Sequence, residues 1–269
     1  MSAIELFHEW GSIQSFKVRL CLAELGLEWE SRRVDLSRFD NLQPGYLAVN
    51  PQGLVPTLWW RGAAIDESSV INELLNELAG SPLLPGDPIE RARARCWAQI
   101  EDRVVHPAVR PPTFNLILKA RVAKLDRRFL EETMARHPVR ERATAYIAAA
   151  TAPVDRIAII ASIIGFRTII ADMERALTGS EWLAAETFSL ADVAMAAFVD
   201  RLDRLAMECL FASFPHARHW AQRIRERPSF ATAQGPENLR PDPLVDAALV
   251  AELIDAALAH TSNDRHESR

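Results

Sequence analysis

The chain has 269 residues, of which 49% are hydrophobic and 25% are charged, and its formal net charge is −5. This length fits one large domain or two smaller domains that share an interface, and the composition is ordinary for a soluble globular protein. The acidic balance gives no electrostatic support for binding a polyanion, so we predict no nucleic-acid partner.

The cysteines and the first residues bear on the compartment. Cys21, Cys96 and Cys209 are scattered without paired spacing, which argues against a disulfide framework and against a structural metal site. The chain starts directly on Ile4-Glu5-Leu6-Phe7, with no basic segment and apolar core of a signal peptide. The most apolar run, residues 157–166, is too short to cross a bilayer. We therefore predict a cytoplasmic protein with no membrane partner and no metal.

The first 80 residues alternate short apolar strands with helices. Strand, helix and strand within about 30 residues form a βαβ unit, and a ββα unit follows it. The predicted elements are a strand at 3–8, a helix at 15–26, strands at 28–34, 57–60 and 63–65, and a helix at 67–79. This order predicts a small mixed sheet with helices packed on it.

A segment rich in proline and glycine, residues 81–88, separates this half from a helical one and reads as a linker. No convincing strand follows the linker. Helical patterns cover residues 88–119, 124–137, 139–150, 153–178, 189–206, 216–227 and 243–260. The sequence thus predicts domains at 1–80 and 89–260, with a frayed tail at 261–269.

One helix start in the second half carries a capping box. Ser189 and Asp192 have the S/T-x-x-D/E spacing at which each side chain accepts a hydrogen bond from the backbone N–H of the other. We interpret this motif as a structural device, whose loss costs on the order of 1 kcal/mol.

The most informative motif is the turn Asn50-Pro51-Gln52-Gly53-Leu54-Val55-Pro56-Thr57-Leu58, followed by Glu67-Ser68 at a helix start. A turn with proline before a short strand exposes backbone amide and carbonyl groups. An acid and a hydroxyl beside the unpaired N–H groups of a helix start add further polar contacts. Together they indicate half of a binding site for a charged, peptide-like thiol.

These residues, together with Phe188-Ser189-Leu190-Ala191-Asp192, resemble the glutathione transferase family over residues 4 to about 230. The resemblance implies an α/β thioredoxin-like N-terminal domain plus an all-α helical-bundle C-terminal domain. It also implies glutathione as co-substrate and a homodimer. By the same resemblance, Pro56 is cis, Val55 pairs with the cysteinyl backbone of glutathione, Glu67 and Ser68 hold its γ-glutamyl end, and Gln52 helps to hold the peptide.

The long helical segment between residues 109 and 178 resembles the bacterial β-etherases, which cleave lignin-type aryl ethers with glutathione. This second similarity depends on scattered positions: Phe114, Lys119, the segment 129–132, Pro138, and Glu141-Arg142.

We expect the residue that stabilises the glutathione thiolate within Ser12-Ile13-Gln14-Ser15, between the first strand and the first helix. An ordinary cysteine-type thiol has a pKa of about 8.5, and lowering it by about two units requires roughly 2.7 kcal/mol. One hydroxyl hydrogen bond to a charged acceptor supplies about 1.5–3 kcal/mol, and a helix N-terminus adds about 0.3–1 kcal/mol. Ser12 stands where the family resemblance places its reactive residue. Ser15, which also reads as the helix N-cap, Gln14 and a backbone amide are the alternatives.

The second substrate is expected between the two domains, where clefts of this kind form. Trp10, His106, Arg110 and Phe114 are candidates for its walls, with packing as the alternative for each. The apolar helix around 157–166 is interpreted mainly as core.

The sequence therefore predicts a glutathione transferase that ionises the glutathione thiol for attack on a hydrophobic, aromatic electrophile. The most specific hypothesis is glutathione-dependent β-aryl ether cleavage. The alternative is a non-catalytic, glutathione-transferase-like binding or interaction module. A glutathione-dependent reductase or isomerase is disfavoured, because Ser12 and Ser15 carry oxygen where a C-x-x-C motif carries sulfur.

Overall fold

The computed structural model describes residues 3–239 and 245–267. Its first half contains a four-stranded mixed sheet in the order β2-β1-β3-β4, in which β1 is parallel to β2 and antiparallel to β3, and β3 is antiparallel to β4. The strands are β1 (Glu5–His8), β2 (Glu30–Arg33), β3 (Thr57–Trp60) and β4 (Ala63–Ile65).

Helix α1 (Ile13–Leu25) is covered on all sides, because it packs against the N-terminal helix α3 (Ser68–Leu78) and against two helices of the second half. Every residue from Ile13 to Leu22 is buried. The helix ends at Gly26, whose φ of 61° is the left-handed conformation that glycine adopts without a steric penalty. A short helix that the sequence did not predict, α2 (Pro44–Leu47), precedes β3.

The second half of the described chain is helical. Its helices are α4 (Pro88–Ile100), α5 (His106–Pro112), α6 (Lys119–Val122), α7 (Arg127–Ala135), α8 (Arg140–Thr151), α9 (Arg156–Ala176), α10 (Leu190–Arg204), α11 (Pro215–Glu226), α12 (Pro228–Gln234) and α13 (Ala247–Glu267). A small mixed sheet followed by helices is the predicted fold class, which is thereby confirmed: a thioredoxin-like N-terminal domain plus an all-α C-terminal domain.

Helix α10 lies at the centre of the helical half and is buried from Leu190 to Leu202. The predicted capping box is present at its start. Ser189 N–H donates to the Asp192 carboxylate over 3.0 Å, and the Ser189 hydroxyl accepts from the first turn. The same carboxylate accepts from the Trp220 ring over 2.8 Å, so the cap also fixes α11 against α10.

Helices α4 to α6 continue one another through two π-helical stretches, Glu101–Val105 and Thr113–Leu118. The helical pattern predicted at 88–119 is therefore present, but with wider turns. Prolines at 107, 111 and 112 have no N–H to donate to the preceding turn, and the wider turns flank them.

A second apolar cluster joins the two halves. The Phe39 ring, which follows β2, packs on the rings of Phe129 and Tyr146, with centroids 6.3 and 5.8 Å away. Leu42, Val122, Leu130, Met134 and Ala143 complete the buried part of this cluster. The segment from 113 to 150 is thereby fixed over the loop that follows β2.

Two further differences between the predicted and the observed helices lie in the second half of the chain. The short helix α12 was not predicted, because it follows α11 after only one intervening residue. Helix α13 extends to Glu267 and so includes most of the predicted frayed tail, since no glycine or proline interrupts 247–267. Across 3–239 and 245–267, no helix combines the length and the apolar character needed to span a bilayer.

Candidate functional site

A cavity of about 930 Å³ lies between the sheet-containing half and the helical half. Its first wall comes from the turn before β3 and from the N-terminal ends of α1 and α3. Its second wall comes from α5, α8, α10 and the π-helical stretch that follows α5.

The turn before β3 is held by a buried polar network. The Val55-Pro56 peptide bond is cis, as the family resemblance implied. Asn50 donates to the Leu54 carbonyl over 3.1 Å and to the Thr57 hydroxyl over 2.9 Å. Because both partners flank the cis bond, the network fixes the backbone that faces the cavity.

The start of α3 brings an acid and a hydroxyl to the same wall. Glu67 is exposed there, with a φ of 62° that is uncommon for a non-glycine residue. Ser68 is buried and donates to Gln14 Oε1 over 2.8 Å, and the Gln52 amide donates to Asp66 over 3.2 Å. The structure thus brings Gln52, Val55, Pro56, Glu67 and Ser68 together around one cavity.

Ser12 lines the cavity and is the N-cap of α1. Its hydroxyl oxygen accepts from the Ser15 backbone N–H over 3.2 Å. Among the described residues its hydroxyl hydrogen has no acceptor. The prediction that Ser15 caps this helix was wrong, because the helix begins two residues earlier, at Ile13.

Two other predicted site residues lie away from the cavity lining. Ser15 is fully buried, and its hydroxyl accepts from the Glu9 backbone N–H over 3.4 Å. The Trp10 ring packs edge-on to His8 at 4.7 Å and lies directly against Gly235. A Cβ at Gly235 would come within 2.1 Å of that ring, so Trp10 is a packing residue between the loop after β1 and the end of α12.

Beneath the first wall lies a buried ion cluster that sequence reasoning missed. Lys17 has no exposed side-chain surface, and its ammonium group contacts Glu101 over 2.5 Å and Asp102 over 2.7 Å. Gln14 Nε2 donates to Glu101 over 3.2 Å, which links the cluster to Ser68. Burial raises the pKa of Glu101 to about 6, and the Lys17 ammonium opposes this shift. The available signal was a lysine between the apolar Phe16 and Val18 of a helix, because a buried ammonium needs a carboxylate partner.

Arginines also position the loop that carries Ser12. Arg201 donates to the Gly11 carbonyl over 2.7 Å, and Arg19 donates to the Trp10 carbonyl over 3.1 Å. Arg204 forms an ion pair with Asp200 over 3.0 Å. Burial and, to a smaller extent, the positive charge of Arg204 lower the pKa of Arg201 to about 10. No sequence signal marked Arg201, because its target is a backbone carbonyl 190 residues away in the chain.

The second wall combines aromatic rings with cations. Three candidates for the substrate walls, His106, Arg110 and Phe114, line the cavity together with Arg142 and Tyr146. The Phe114 and Tyr146 rings pack edge to face, with their centroids 5.2 Å apart. In the part of the chain that the structure describes, no three His, Cys, Asp or Glu side chains are grouped as a metal site.

Two family profiles match the chain. The profile for the glutathione S-transferase N-terminal domain matches residues 11–78, and the profile for the glutathione S-transferase C-terminal domain matches residues 167–228. The first match includes Ser12, the turn before β3 and the start of α3. The second covers the capping box and all of α10, so both walls of the cavity lie partly within matched segments.

Similar proteins cover nearly the whole chain. Protein LigF of Sphingobium sp. strain SYK-6 is 28% identical over 237 residues, which are 84% of this chain and 91% of that protein. The crystal structure of β-etherase LigF from the same strain aligns with a TM-score of 0.79 at 26% identity, over 86% of this chain and 98% of that one. A tetrachloro-p-hydroquinone reductive dehalogenase of Sphingobium chlorophenolicum is 24% identical over 87% of this chain and 96% of its own length. The matched profiles, the fold and the cis Val55-Pro56 turn agree: the chain belongs to the glutathione transferase family.

Proposed function

We propose that this protein ionises the thiol of glutathione at Ser12 and directs the sulfur at an electrophilic carbon of an aromatic substrate in the cavity. The proposal depends on one observation, the hydrogen bonding of the Ser12 hydroxyl. Its oxygen is fixed by the Ser15 N–H, while its hydrogen has no acceptor among the described residues and lies at the cavity. That hydrogen is free to donate to a thiolate.

The energetics of this arrangement are sufficient without a metal or a general base. A hydroxyl hydrogen bond to a charged acceptor contributes about 1.5–3 kcal/mol, and each pKa unit corresponds to about 1.36 kcal/mol. The N-terminus of α1 adds about 0.3–1 kcal/mol, because Ser12 is its N-cap. Ser12 therefore acts as a hydrogen-bond donor, and the sulfur of glutathione is the nucleophile.

The peptide part of glutathione binds along the first wall in this proposal. The Val55 backbone pairs with the cysteinyl unit, Glu67 and Ser68 hold the γ-glutamyl end, and Gln52 contacts the peptide. Support comes from the position of these residues around one cavity and from the match of residues 11–78 to the N-terminal family profile. The same proposal divides the chain into a glutathione-binding domain at 1–80 and a substrate-selecting domain at 89–260. It also includes assembly as a homodimer.

The specific reaction that we propose is cleavage of a β-aryl ether. The thiolate sulfur attacks the carbon that bears the ether oxygen, a C–S bond forms, and the C–O bond breaks. The aryloxide leaves and takes up a proton from solvent. Support comes from the likeness to β-etherase LigF over most of both chains and from the aromatic second wall.

The first experiment compares Ser12→Ala with Ser15→Ala. We expect Ser12→Ala to raise the pKa of the bound thiol by about a unit or more, because it removes the only hydroxyl proposed to donate to the sulfur. Glutathione affinity should change by less than about twofold. The measurements are the thiolate absorbance and the pH–rate profile of the complex, and Ser15→Ala should leave both unchanged. An unchanged profile in Ser12→Ala would remove this serine from the proposed role.

The second experiment concerns the substrate. Aryl ethers and common electrophiles are incubated with the protein and glutathione, and the products are separated by mass. We expect a glutathione thioether together with a free phenol from the aryl ether. Conjugation of other electrophiles without release of a phenol would support glutathione transfer but contradict ether cleavage. No product with any substrate would favour the non-catalytic binding module.

A further inference from the structure

Two arginines on the second wall lack the carboxylate partner that several other arginines of this protein have. Arg110 and Arg142 both line the cavity, and neither has a carboxylate within ion-pair distance in residues 3–239 and 245–267. The part-buried Arg225 and Arg227 each contact a carboxylate over 2.6 Å instead. Arg142 is half-buried and Arg110 is exposed to solvent, so the cavity lining includes two guanidinium groups that have no carboxylate partner among the described residues.

The two cations are close enough to affect each other and a neighbouring histidine. Burial lowers the pKa of Arg142, and the positive charge of Arg110 lowers it further. Burial, together with the positive charges of Arg110, Lys17 and Arg142, also lowers the pKa of His106 to about 4. Asp102 acts in the opposite direction, but its carboxylate is already 2.7 Å from Lys17. This part of the cavity is consequently positive, and an anion placed there would relieve the repulsion.

Aromatic surface adjoins the two arginines. Phe114 and Tyr146 line the same cavity and pack edge to face at 5.2 Å. Phe39 also lines the cavity and packs on Tyr146, with ring centroids 5.8 Å apart. Tyr146 lies one helical turn after Arg142 on α8, so ring and guanidinium share one face of that helix. A ligand that fills this region needs an aromatic part and an anionic part.

We propose that Arg110 and Arg142 form a carboxylate-binding subsite that selects, as second substrate, an aromatic electrophile carrying a carboxylate. The planar guanidinium group matches a carboxylate by two parallel hydrogen bonds, which gives direction as well as affinity. His106, neutral at pH 7, offers a hydrogen-bonding nitrogen beside them. This inference rests on the proposed function in one respect, namely that the electrophile occupies this cavity.

The subsite is separate from the proposed contacts of glutathione. Val55, Glu67 and Ser68 belong to the first wall, whereas Arg110 and Arg142 belong to helices of the second. Both ligands should therefore bind at the same time. The experiment uses this property, since the carboxylate probe is added to protein already saturated with glutathione.

The probes are 3-phenylpropionate and its primary amide, which have the same shape and differ in charge. Their dissociation constants are measured by calorimetry with the full-length protein. We expect the carboxylate to bind at least about tenfold more tightly than the amide. Arg110→Gln and Arg142→Gln should each weaken carboxylate binding by about tenfold or more and amide binding by less than about twofold.

Two control variants separate charge recognition from packing. Arg140→Gln removes an exposed arginine of the same helix α8 that does not line the cavity, and it should leave both constants unchanged. Arg142→Lys keeps the charge without the planar pair of donors, and it should retain part of the preference for the carboxylate. Thermal unfolding of each variant verifies that it is folded.

Three outcomes would overturn the proposal: equal affinity of the wild-type protein for the two probes, equal losses for both probes in the Arg variants, or loss of carboxylate binding when glutathione is present. The last would assign the arginines to glutathione itself. Glutathione affinity and thiolate absorbance are measured in the same samples. If glutathione fails to bind while the carboxylate preference remains, the proposed function is rejected and the subsite is retained.

Discussion

The two walls of the cavity satisfy their polar groups in opposite ways. On the first wall the protein supplies the partners itself: Ser68 bonds to Gln14, Gln14 to Glu101, and Glu101 to Lys17. On the second wall Arg110 and Arg142 have no carboxylate partner among the described residues. The first wall is therefore preorganised before a ligand arrives, whereas the second leaves charge for a ligand to neutralise.

This difference fits a protein that binds one constant ligand and one variable ligand. A wall whose side chains are held by buried hydrogen bonds presents the same groups each time and loses little conformational entropy on binding. A wall that combines guanidinium groups lacking a carboxylate partner with aromatic rings selects by charge and shape instead.

The largest expected effect tests the preorganised wall. Lys17→Met leaves the fully buried Glu101 without its ammonium partner, so we expect a loss of about 3–5 kcal/mol in the free energy of unfolding. Chemical denaturation measures it.

The matched control is the double variant Lys17→Met/Glu101→Gln, which removes the uncompensated charge as well. It should be more stable than Lys17→Met alone. If the single variant unfolds like the wild-type protein, the ion cluster does not organise the first wall and the comparison between the walls loses its basis.

A smaller effect concerns glutathione affinity. Ser68→Ala and Glu67→Ala remove the groups proposed to hold the γ-glutamyl end, so each should weaken glutathione binding roughly tenfold, or about 1.4 kcal/mol. Calorimetric titration measures the dissociation constants. Glu77→Ala, which changes an exposed acid on the same helix, serves as the control. Unchanged affinity in both site variants would place the γ-glutamyl pocket elsewhere.

The smallest expected effect is a shift in the pKa of His106 on the second wall. That pKa is lowered to about 4 by burial and by Arg110, Lys17 and Arg142. As the pH falls from about 6.5 toward 4, the unfolded chain gains a proton that the folded protein does not, so folding stability declines across this window. An aromatic carboxylate bound beside Arg110 should raise the pKa of His106 by up to about one unit.

Nuclear magnetic resonance of the histidine ring protons, with and without 3-phenylpropionate, measures this pKa. The amide probe is the control and should leave it unchanged. A ring that titrates near 6.5 in the free protein would show that the second wall is less buried and less positive than the structure indicates.

The parts of the site that lie in short local motifs were predicted from the sequence. The turn ending at Val55-Pro56, the helix start at Glu67-Ser68 and the box of Ser189 and Asp192 each depend on neighbours a few residues apart. The contacts that support them were missed, because Gln14, Lys17 and Glu101 meet only when α1 packs against the segment after α4. Trp10, an aromatic residue next to the site in the sequence, packs on Gly235 and is not part of the cavity lining.

The sequence by itself determined the order of strands and helices, the family and the location of the first wall, because hydrophobic periodicity and capping are local properties of the chain. Only the tertiary structure decided which charges meet. Arg201 donates to the Gly11 carbonyl, 190 residues away, and Arg110 lowers the pKa of Arg142, 32 residues away, so no local pattern records that either pair of groups comes close. Whether a charge is paired depends on which elements pack together. Burial of the apolar core that the elements share determines this packing.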